Sequence, residues 1–189
     1  GDHLYLRIID YKSSKKDLPL VEVYYGLAMQ MLAYLDVVLS QSEEWLGLKA
    51  SPAGLLYFHV HDAMINSHEP LSDAQIMDKV IQSYKMQGVV LSDEEIVQMM
   101  DQSLTSGSSQ IIPVGLKKNG GFYKYSHVAS EQTFELLQKH IHELIKQTGI
   151  EMTQGKVELN PYEHKQTTAC KFCPFKAVCQ FDQTLPENK

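Results

Sequence analysis

A carboxylate and an amine stand two positions apart at the end of an apolar segment near the start of the sequence. Asp10 and Lys12 follow Ile8 and Ile9, and a strand over residues 4–12 would place both side chains on one face of a sheet. A carboxylate that can hold Mg²⁺, beside a lysine that can orient or deprotonate water, suits the hydrolysis of a phosphodiester bond. An isolated Asp-x-Lys is common, and its plainer interpretation is a solvated ion pair at an exposed strand end.

A second pair of polar residues makes the first interpretation more specific. Gln30 and Tyr34 are four positions apart, in a segment from about residue 20 to residue 39 whose apolar residues recur at helical spacing. Residues four apart are neighbours on one face of a helix. Gln30 could reach the end of the strand and orient the lysine, the water or a nucleic-acid backbone, with Tyr34 in support. The alternative is a buried polar pair between helix and sheet.

A third signal lies near the end of the sequence. Cys170, Cys173 and Cys179 are its only cysteines, and their C-x2-C-x5-C spacing is typical of a metal or iron–sulfur site. Three thiolates cannot complete a four-cysteine cluster, so either a fourth ligand lies outside this chain or the site is not a full cluster. Three unrelated thiols and a zinc knuckle stay as alternatives. An odd number of closely spaced cysteines favours metal over disulfides and fits a reduced, cytosolic protein.

The elements that would hold these residues follow from the pattern of apolar side chains. An aromatic and β-branched run at residues 55–60 predicts a second strand, so that strand, helix and strand form a βαβ unit. His59 and His61 on that strand could form a metal pair, but we expect the commoner case of partly buried strand residues.

The middle of the sequence predicts further helices and a hairpin. Ser72 is the predicted N-cap of a helix to about residue 86, and Ser92 with Glu95 is a predicted capping box for a helix to about residue 104. Other predictions are an interruption at residues 88–91, a loop at 105–109, a strand at 111–116 with a return strand at 122–125, a helix from Ser130 to about residue 148, and an extended stretch between Gly149 and Gly155.

Composition allows one hydrophobic core. The chain has 189 residues, of which 43% are hydrophobic, and no apolar run reaches membrane-spanning length. We predict a core over residues 1–165 with a helical insertion at about 66–108, a cysteine segment at 166–182 and a tail at 183–189. The net charge of −6 argues mildly against a free-standing DNA-binding domain, although neighbouring domains of a larger complex could supply the phosphate contacts.

Together these residues resemble the RecB-like branch of the PD-(D/E)XK nucleases, and within it the nuclease region of AddB-type subunits of bacterial helicase–nucleases. The resemblance spans residues 4 to 182 and has four blocks in the family's order, at residues 6–14, 24–36, 52–58 and 170–179. It implies an α/β fold of the restriction-endonuclease type, with a central mixed sheet flanked by helices.

The resemblance also implies a role for each site residue. Asp10 and the backbone carbonyl of Tyr11 would bind Mg²⁺ or Mn²⁺. Lys12 would position or deprotonate the attacking water, or stabilise charge on the phosphate, and Gln30 and Tyr34 would complete the catalytic set.

The three cysteines would hold a 4Fe–4S cluster that joins the two ends of the domain. In the family, the fourth cysteine lies far upstream, and a second acidic metal ligand lies on a preceding strand. The sequence begins too late to contain either residue. We therefore expect the cluster to be incomplete or absent in this fragment, and the isolated fragment to be inactive.

The function implied is that of a metal-dependent DNA exonuclease module in a bacterial, cytoplasmic AddAB-type helicase–nuclease, which processes double-strand ends for recombinational repair. Its partners would be DNA and the AddA-type subunit. One alternative is another RecB-like nuclease of the Cas4 type, which the block at residues 52–58 disfavours. The other is a non-catalytic structural domain, which the intact Asp10, Lys12 and Gln30 disfavour.

Overall fold

The first strand returns to a parallel partner through two helices. In the computed structural model, which describes residues 3–164 and 167–182, β1 (Leu4–Lys12) pairs in parallel with β2 (Ala50–His59). The crossover contains α1 (Leu20–Tyr24) and α2 (Gln30–Leu46). Parallel neighbours require a crossover of this kind, and the predicted βαβ unit is confirmed. The predicted tail at residues 183–189 lies outside the described residues.

The strands that follow complete a mixed sheet. The next elements in chain order are α3 (Asp73–Ser83), β3 (Gln87–Leu91), α4 (Glu94–Met100), β4 (Gly107–Ser108), β5 (Gly115–Leu116), β6 (Val128–Ala129) and α5 (Glu131–Thr153). β3 runs antiparallel to β2, and β6 runs parallel to β3, which gives the strand order β1-β2-β3-β6. The predicted architecture, a central mixed sheet with flanking helices, is confirmed.

Two apolar clusters form the core, because β2 is buried on both faces. Leu55 and Tyr57 belong to one cluster, together with Leu32 from α2 and Phe134 from α5. Leu56, which points to the opposite face, belongs to the other cluster. The first cluster holds the start of α2 against the carboxyl ends of β1 and β2.

The segment predicted as one helix over residues 20–39 is two helices. Gly26, at φ 78°, interrupts it between α1 and α2, and its amide donates to the carbonyl of Val23 at 3.0 Å. The second helix continues past the predicted end to Leu46, where Gly47 takes the left-handed conformation at φ 77° and ends it. Glycine adopts this conformation without the steric penalty of a Cβ, so both glycines end helices.

The predicted interruption at residues 88–91 is wrong, because these residues form most of β3. Gly88 has φ 131° and lies so close to β2 that a Cβ there would collide with the carbonyl oxygen of Leu55. A glycine in a strand often marks a close approach of two backbones. In the sequence alone, the same glycine resembles a break between helices.

Local capping decides where the middle helices begin. Ser72 caps α3 as predicted, and with Gln75 it forms a capping box. The cap of α4 is Asp93 rather than the predicted Ser92, because Asp93 Oδ1 accepts from the Ile96 amide at 3.1 Å. Asp93 is one residue nearer to the helix, and its carboxylate also suits the positive end of the helix dipole.

The predicted loop at 105–109 and the predicted hairpin at 111–125 are mostly replaced by shorter pairings. β4, at residues 107–108, pairs with β5, and the predicted return strand reduces to a single bridge between Leu116 and Phe122. The predicted extended stretch after Gly149 is also wrong, because α5 begins after Ser130 as expected but continues to Thr153. The side chain of Ser130 accepts from the Thr133 amide at 3.2 Å.

One buried carboxylate anchors the loop after α4. Asp101, only 6% exposed, accepts through Oδ1 from the amide and hydroxyl of Ser103, at 3.1 and 2.6 Å. Its Oδ2 accepts from the hydroxyl of Ser109 at 2.6 Å. We call these three residues the Asp101 network. Burial alone would raise the pKa of Asp101, but these hydrogen bonds outweigh it and lower the pKa below its ordinary value.

The chain divides into two units, Gly1–Leu144 and Ile145–Lys189. The second unit contains the end of α5, the hairpin β7 (Glu163–His164) and β8 (Thr167–Thr168), a 3₁₀ turn (Ala169–Phe172) and α6 (Lys176–Cys179). The predicted domain boundary at residue 165 stays a prediction. Over the described ranges, no helix has the length and apolar character needed to cross a membrane.

Candidate active site

The carboxyl ends of two parallel strands bring the predicted catalytic residues to one edge of the sheet. In the β1–β2 register, Asp10 lies beside Tyr57 and Lys12 beside His59. Asp10 and Lys12 are two positions apart and therefore point to the same face. Gln30 is the first residue of α2, so its side chain is available at the end of the helix.

Four polar side chains form a continuous chain of contacts at this edge. Lys12 Nζ lies 2.7 Å from Asp10 Oδ2 and donates to Gln30 Oε1 at 2.9 Å. Gln30 Nε2 donates in turn to the Tyr34 hydroxyl at 3.0 Å. We call Asp10, Lys12, Gln30 and Tyr34 the strand-end cluster. The geometry brings together all four side chains that the sequence predicts as catalytic, and their roles stay predictions.

The members of the strand-end cluster differ in exposure. The side chains of Asp10 and Lys12 are 17% and 28% exposed, whereas Tyr34 is 49% exposed and Gln30 is also exposed. Gln30 and Tyr34 are therefore not a buried polar pair between helix and sheet. Their polar ends can be reached from solvent, as contact with a substrate requires.

Asp10 has an oxygen without a regular hydrogen bond. Its Oδ2 is buried, and it accepts no hydrogen bond of good geometry from any described residue, although the Lys12 ammonium is 2.7 Å away. The ammonium group balances the charge of this oxygen through an ion-pair contact rather than a regular hydrogen bond. A hard carboxylate oxygen that already pairs with a cation is also a candidate ligand for a metal cation.

Lys12 is held in its charged form by its neighbour. The Asp10 carboxylate, whose Oδ2 lies 2.7 Å from Nζ, raises the pKa of Lys12 above its ordinary value, against a smaller opposing effect of partial burial. The nearby Tyr57 stays neutral, because burial raises the pKa of its hydroxyl. Lys12 therefore carries an ammonium group at neutral pH and can donate to an anion.

Among known protein families, the PD-(D/E)XK nuclease superfamily matches residues 1–180, nearly the whole chain. The chain belongs to this superfamily. The strand-end cluster contains the Asp-x-Lys pair at the end of β1, the strand at one edge of the described four-stranded sheet, and its role as a nuclease centre stays a prediction.

Several curated bacterial proteins resemble this superfamily member closely. Each is named as a subunit of an ATP-dependent helicase/deoxyribonuclease. The protein from Oceanobacillus iheyensis is 62% identical over 99% of the chain, that from Bacillus pumilus 50% over 98%, and that from Bacillus subtilis 49% over 98%. The chain spans 16% of the length of each relative. The resemblance predicted from the sequence is confirmed.

The divalent metal that this superfamily implies finds a partial set of ligands in the strand-end cluster. Asp10 Oδ2 is a hard oxygen without a regular hydrogen bond, which suits Mg²⁺ or Mn²⁺. Within residues 3–164 and 167–182, no group of three or more Asp, Glu, His or Cys is arranged to hold a metal ion. One carboxylate still fits, because Mg²⁺ is commonly held by one or two carboxylates together with waters and substrate phosphates.

His59 and His61 use their ring nitrogens in other ways. Their rings stack with centroids 4.0 Å apart. His59 Nε2 lies 3.3 Å from the carbonyl of Ser13, and His61 Nδ1 lies 3.1 Å from the carbonyl of His59. Both residues are half-buried, as the sequence predicts, but only His59 lies in β2, because the strand ends there and His61 follows two residues later. Their contacts are with backbone carbonyls rather than with Asp10.

The three cysteines lie together in the second unit. Cys170, Cys173 and Cys179 are free thiols, and all three line one cavity of about 350 Å³ together with apolar side chains that include Leu159 and Phe181. The iron–sulfur cluster stays a prediction.

A basic cavity beside Lys12 is not predicted by the sequence. Its volume is about 340 Å³, and its lining includes Lys12, Lys15, Lys16, His59, His61 and Lys85. In the sequence, Lys15 and Lys16 indicate only a polar connection. The sequence does not indicate that Lys85 lines a cavity, because its position depends on β3, which the sequence predicts as an interruption.

Proposed function

We propose that this chain is the metal-dependent DNA exonuclease module of an AddAB-type helicase–nuclease, which processes double-strand DNA ends for recombinational repair. The observation that carries the proposal is the strand-end cluster in a chain of the PD-(D/E)XK superfamily. DNA and an AddA-type subunit are the proposed partners, and the bacterial cytoplasm is the proposed location. The names of the relatives support this, since they combine helicase and deoxyribonuclease.

Asp10 is the proposed metal ligand, with the backbone carbonyl of Tyr11 as a second oxygen donor. Asp10 Oδ2 supports this assignment, because it is a buried carboxylate oxygen that contacts the Lys12 ammonium at 2.7 Å, and a divalent cation could take that place. When bound, Mg²⁺ or Mn²⁺ supplies Lewis-acid stabilisation of the phosphate and lowers the pKa of water. A further acidic ligand from outside this sequence would complete the site.

Lys12 is the proposed electrostatic partner of the scissile phosphate. Because Asp10 raises its pKa, it is an ammonium group at neutral pH and a poor general base. Its charge is already in place before the reaction, so it can stabilise the negative charge that develops on the phosphate oxygens without reorganisation. Charge stabilisation is therefore the role that we favour over proton abstraction.

Gln30 and Tyr34 are the proposed positioning residues. A lysine side chain has four rotatable bonds and loses conformational entropy when it is fixed. The hydrogen bond from Lys12 to Gln30 at 2.9 Å, and that from Gln30 to Tyr34 at 3.0 Å, restrict the ammonium group to the face it shares with Asp10. They hold Lys12 toward the substrate.

The cysteines are the proposed ligands of a 4Fe–4S cluster whose fourth ligand comes from outside this sequence. Three free thiols around one largely apolar cavity support the proposal. Thiolates are the usual ligands of such clusters. The cluster would stabilise the domain rather than take part in cleavage.

Nuclease activity on linear DNA tests the proposal. The complete natural polypeptide that contains this sequence is purified anaerobically, with Asp10→Ala, Lys12→Ala and, as a control, the exposed Lys117→Ala. We expect Mg²⁺- or Mn²⁺-dependent cleavage in the wild type and in Lys117→Ala, none in the other two variants, and about four iron atoms per chain. A folded, iron-loaded polypeptide that never cuts DNA would instead support the non-catalytic structural domain.

A further inference from the structure

The basic cavity lies directly beside the strand-end cluster. Lys12 belongs to both the cavity and the cluster, and Lys15 and Lys16 follow it in the loop after β1. His59 is the last residue of β2, and His61 follows it by two positions. Lys85 lies two residues before β3, so lysines from two separate parts of the first unit line one recess of about 340 Å³.

The lining reverses the overall charge of the protein. It contains four lysines and two histidines, and no described Asp or Glu lines it, whereas the chain as a whole carries a net charge of −6. In the part of the chain that the structure describes, Lys15, Lys16 and Lys85 form no ion pair with a carboxylate. Solvated surface lysines in an acidic protein usually have acidic neighbours, so this concentration of positive charge attracts anions.

Besides Lys12, three lysines line the cavity, and Lys85 is the least exposed of these three. It is half-buried, and its Nζ donates to the hydroxyl of Ser108 at 3.0 Å. Burial lowers its pKa, because no anion compensates for the lost solvation of the ammonium group. A bound anion would supply that compensation.

The hydrogen bonds of the two histidines leave one ring nitrogen of each for a ligand. A backbone carbonyl only accepts, so His59 Nε2 and His61 Nδ1 carry hydrogen where they contact the carbonyls of Ser13 and His59. His59 Nδ1 and His61 Nε2 are not used in those contacts. As acceptors, they are open to an N–H or O–H donor of a ligand in the cavity.

We propose that the basic cavity is a phosphate subsite, which holds the nucleic-acid strand by a phosphate next to the scissile one. Lys15, Lys16 and Lys85 are then positioning residues for the nuclease reaction. This proposal rests on the proposed function and adds to it the path of the strand. A recess of about 340 Å³ is large enough for one nucleotide-sized anionic group of a single strand.

Lysine footprinting tests this subsite without cleavage. The complete natural polypeptide is treated with an acetylating reagent in a metal-free buffer, with and without a single-stranded oligonucleotide, and each lysine is quantified by mass spectrometry. We expect the oligonucleotide to protect Lys15, Lys16 and Lys85, while Lys117 and Lys118, which do not line the cavity, keep their reactivity. Parallel samples with inorganic phosphate and a mononucleotide separate a strand phosphate from a free one.

The footprint tests the phosphate subsite separately from the proposed nuclease function. Protection of the cavity lysines by the oligonucleotide supports the subsite, even if the polypeptide shows no cleavage. Equal reactivity of these lysines with and without the oligonucleotide overturns it, even if cleavage is intact. Protection by the mononucleotide or by inorganic phosphate, but not by the oligonucleotide, also overturns the strand assignment.

A charge-removing variant gives a second readout. Lys15→Gln with Lys16→Gln changes two exposed residues, so folding should be retained, and Lys117→Gln with Lys118→Gln is the charge-matched control. We expect KM for a single-stranded substrate to rise about 10-fold, more than kcat falls, and the salt slope of binding to drop by about 1.4, at about 0.7 per contact. The same KM and slope in both double variants would contradict the subsite.

Discussion

Two carboxylates of the first unit, Asp10 and Asp101, lie in opposite hydrogen-bonding environments. Asp101 is 6% exposed, and both of its oxygens accept hydrogen bonds, from Ser103 and Ser109. Asp10 lies at the strand end, with an ammonium group 2.7 Å from Oδ2 but no regular hydrogen bond to that oxygen from the described residues. One carboxylate is held by hydrogen bonds from serines, and the other by an ion pair with a lysine.

The difference separates a structural role from a role in binding. A satisfied buried carboxylate fixes the loop that it bonds and offers little to a ligand. A carboxylate that pairs with one ammonium group can exchange that partner for a metal ion or a substrate, and such groups cluster at functional sites. Substitutions in the Asp101 network should therefore change stability, and substitutions in the strand-end cluster should change activity.

Among substitutions of residues that contact Asp10 or Asp101, Lys12→Ala should have the largest effect. We expect kcat for DNA cleavage to fall by about 100- to 1,000-fold, because the charge that stabilises the phosphate is removed. Lys12→Arg keeps the charge and should retain part of the activity. Steady-state cleavage assays measure both, and equal activity of Lys12→Ala and wild type would contradict the role of this cation.

Ser109→Ala should act on stability alone. It removes the hydrogen bond to Asp101 Oδ2 at 2.6 Å, and we expect the free energy of unfolding to fall by about 1.5–3 kcal/mol. Ser103→Ala is the matched control and should lower the free energy of unfolding less, because the Ser103 amide would still donate to Asp101 Oδ1. Urea unfolding measures both variants. If Ser109→Ala were as stable as wild type but cleaved DNA poorly, the division of roles would be wrong.

Gln30→Ala should reduce activity less than Lys12→Ala. Residues that orient a catalytic group typically contribute about 10- to 100-fold, and Gln30 touches Lys12 directly. Tyr34→Phe removes only the outer hydrogen bond of the cluster and should have a smaller effect. Single-turnover cleavage with saturating metal compares the two variants. A larger loss in Tyr34→Phe would contradict the proposed order of contacts.

The positions of the strand-end cluster and of the Asp101 network explain how much of the site the sequence could predict. Asp10, Lys12, Gln30 and Tyr34 lie within one βαβ unit, where strand and helix periodicity alone determine which side chains share a face. Their juxtaposition is predictable even though Gly26 divides the predicted helix. The Asp101 network and Lys85 depend instead on β3 and the loop after α4, which follow from the close packing of Gly88 on β2. Contacts between distant segments leave no such periodic signal.

The smallest expected effects are at the extremes of pH. The lowered pKa of Asp101 contributes stability that is present above its ordinary value of 3.8 and is lost as pH falls through the lower value in the folded state. Asp101→Asn should therefore flatten the decline of unfolding free energy below about pH 4. Lys12 has a raised pKa, so its contribution is present below 10.5 and is lost only at higher pH. Urea unfolding across pH measures both trends, and an unchanged acid limb in Asp101→Asn would contradict the first.

The most direct test compares Asp10→Asn with Asp101→Asn in the complete natural polypeptide, with thermal unfolding and metal-dependent DNA cleavage measured for each. We expect Asp10→Asn to lose about 1,000-fold or more in cleavage and to change stability less than Asp101→Asn, because it removes one ion pair rather than a set of hydrogen bonds. Asp101→Asn should be less stable by about 1–3 kcal/mol and should cleave DNA like wild type while folded. Normal cleavage by a folded Asp10→Asn would contradict the assignment of the strand-end cluster as a nuclease centre.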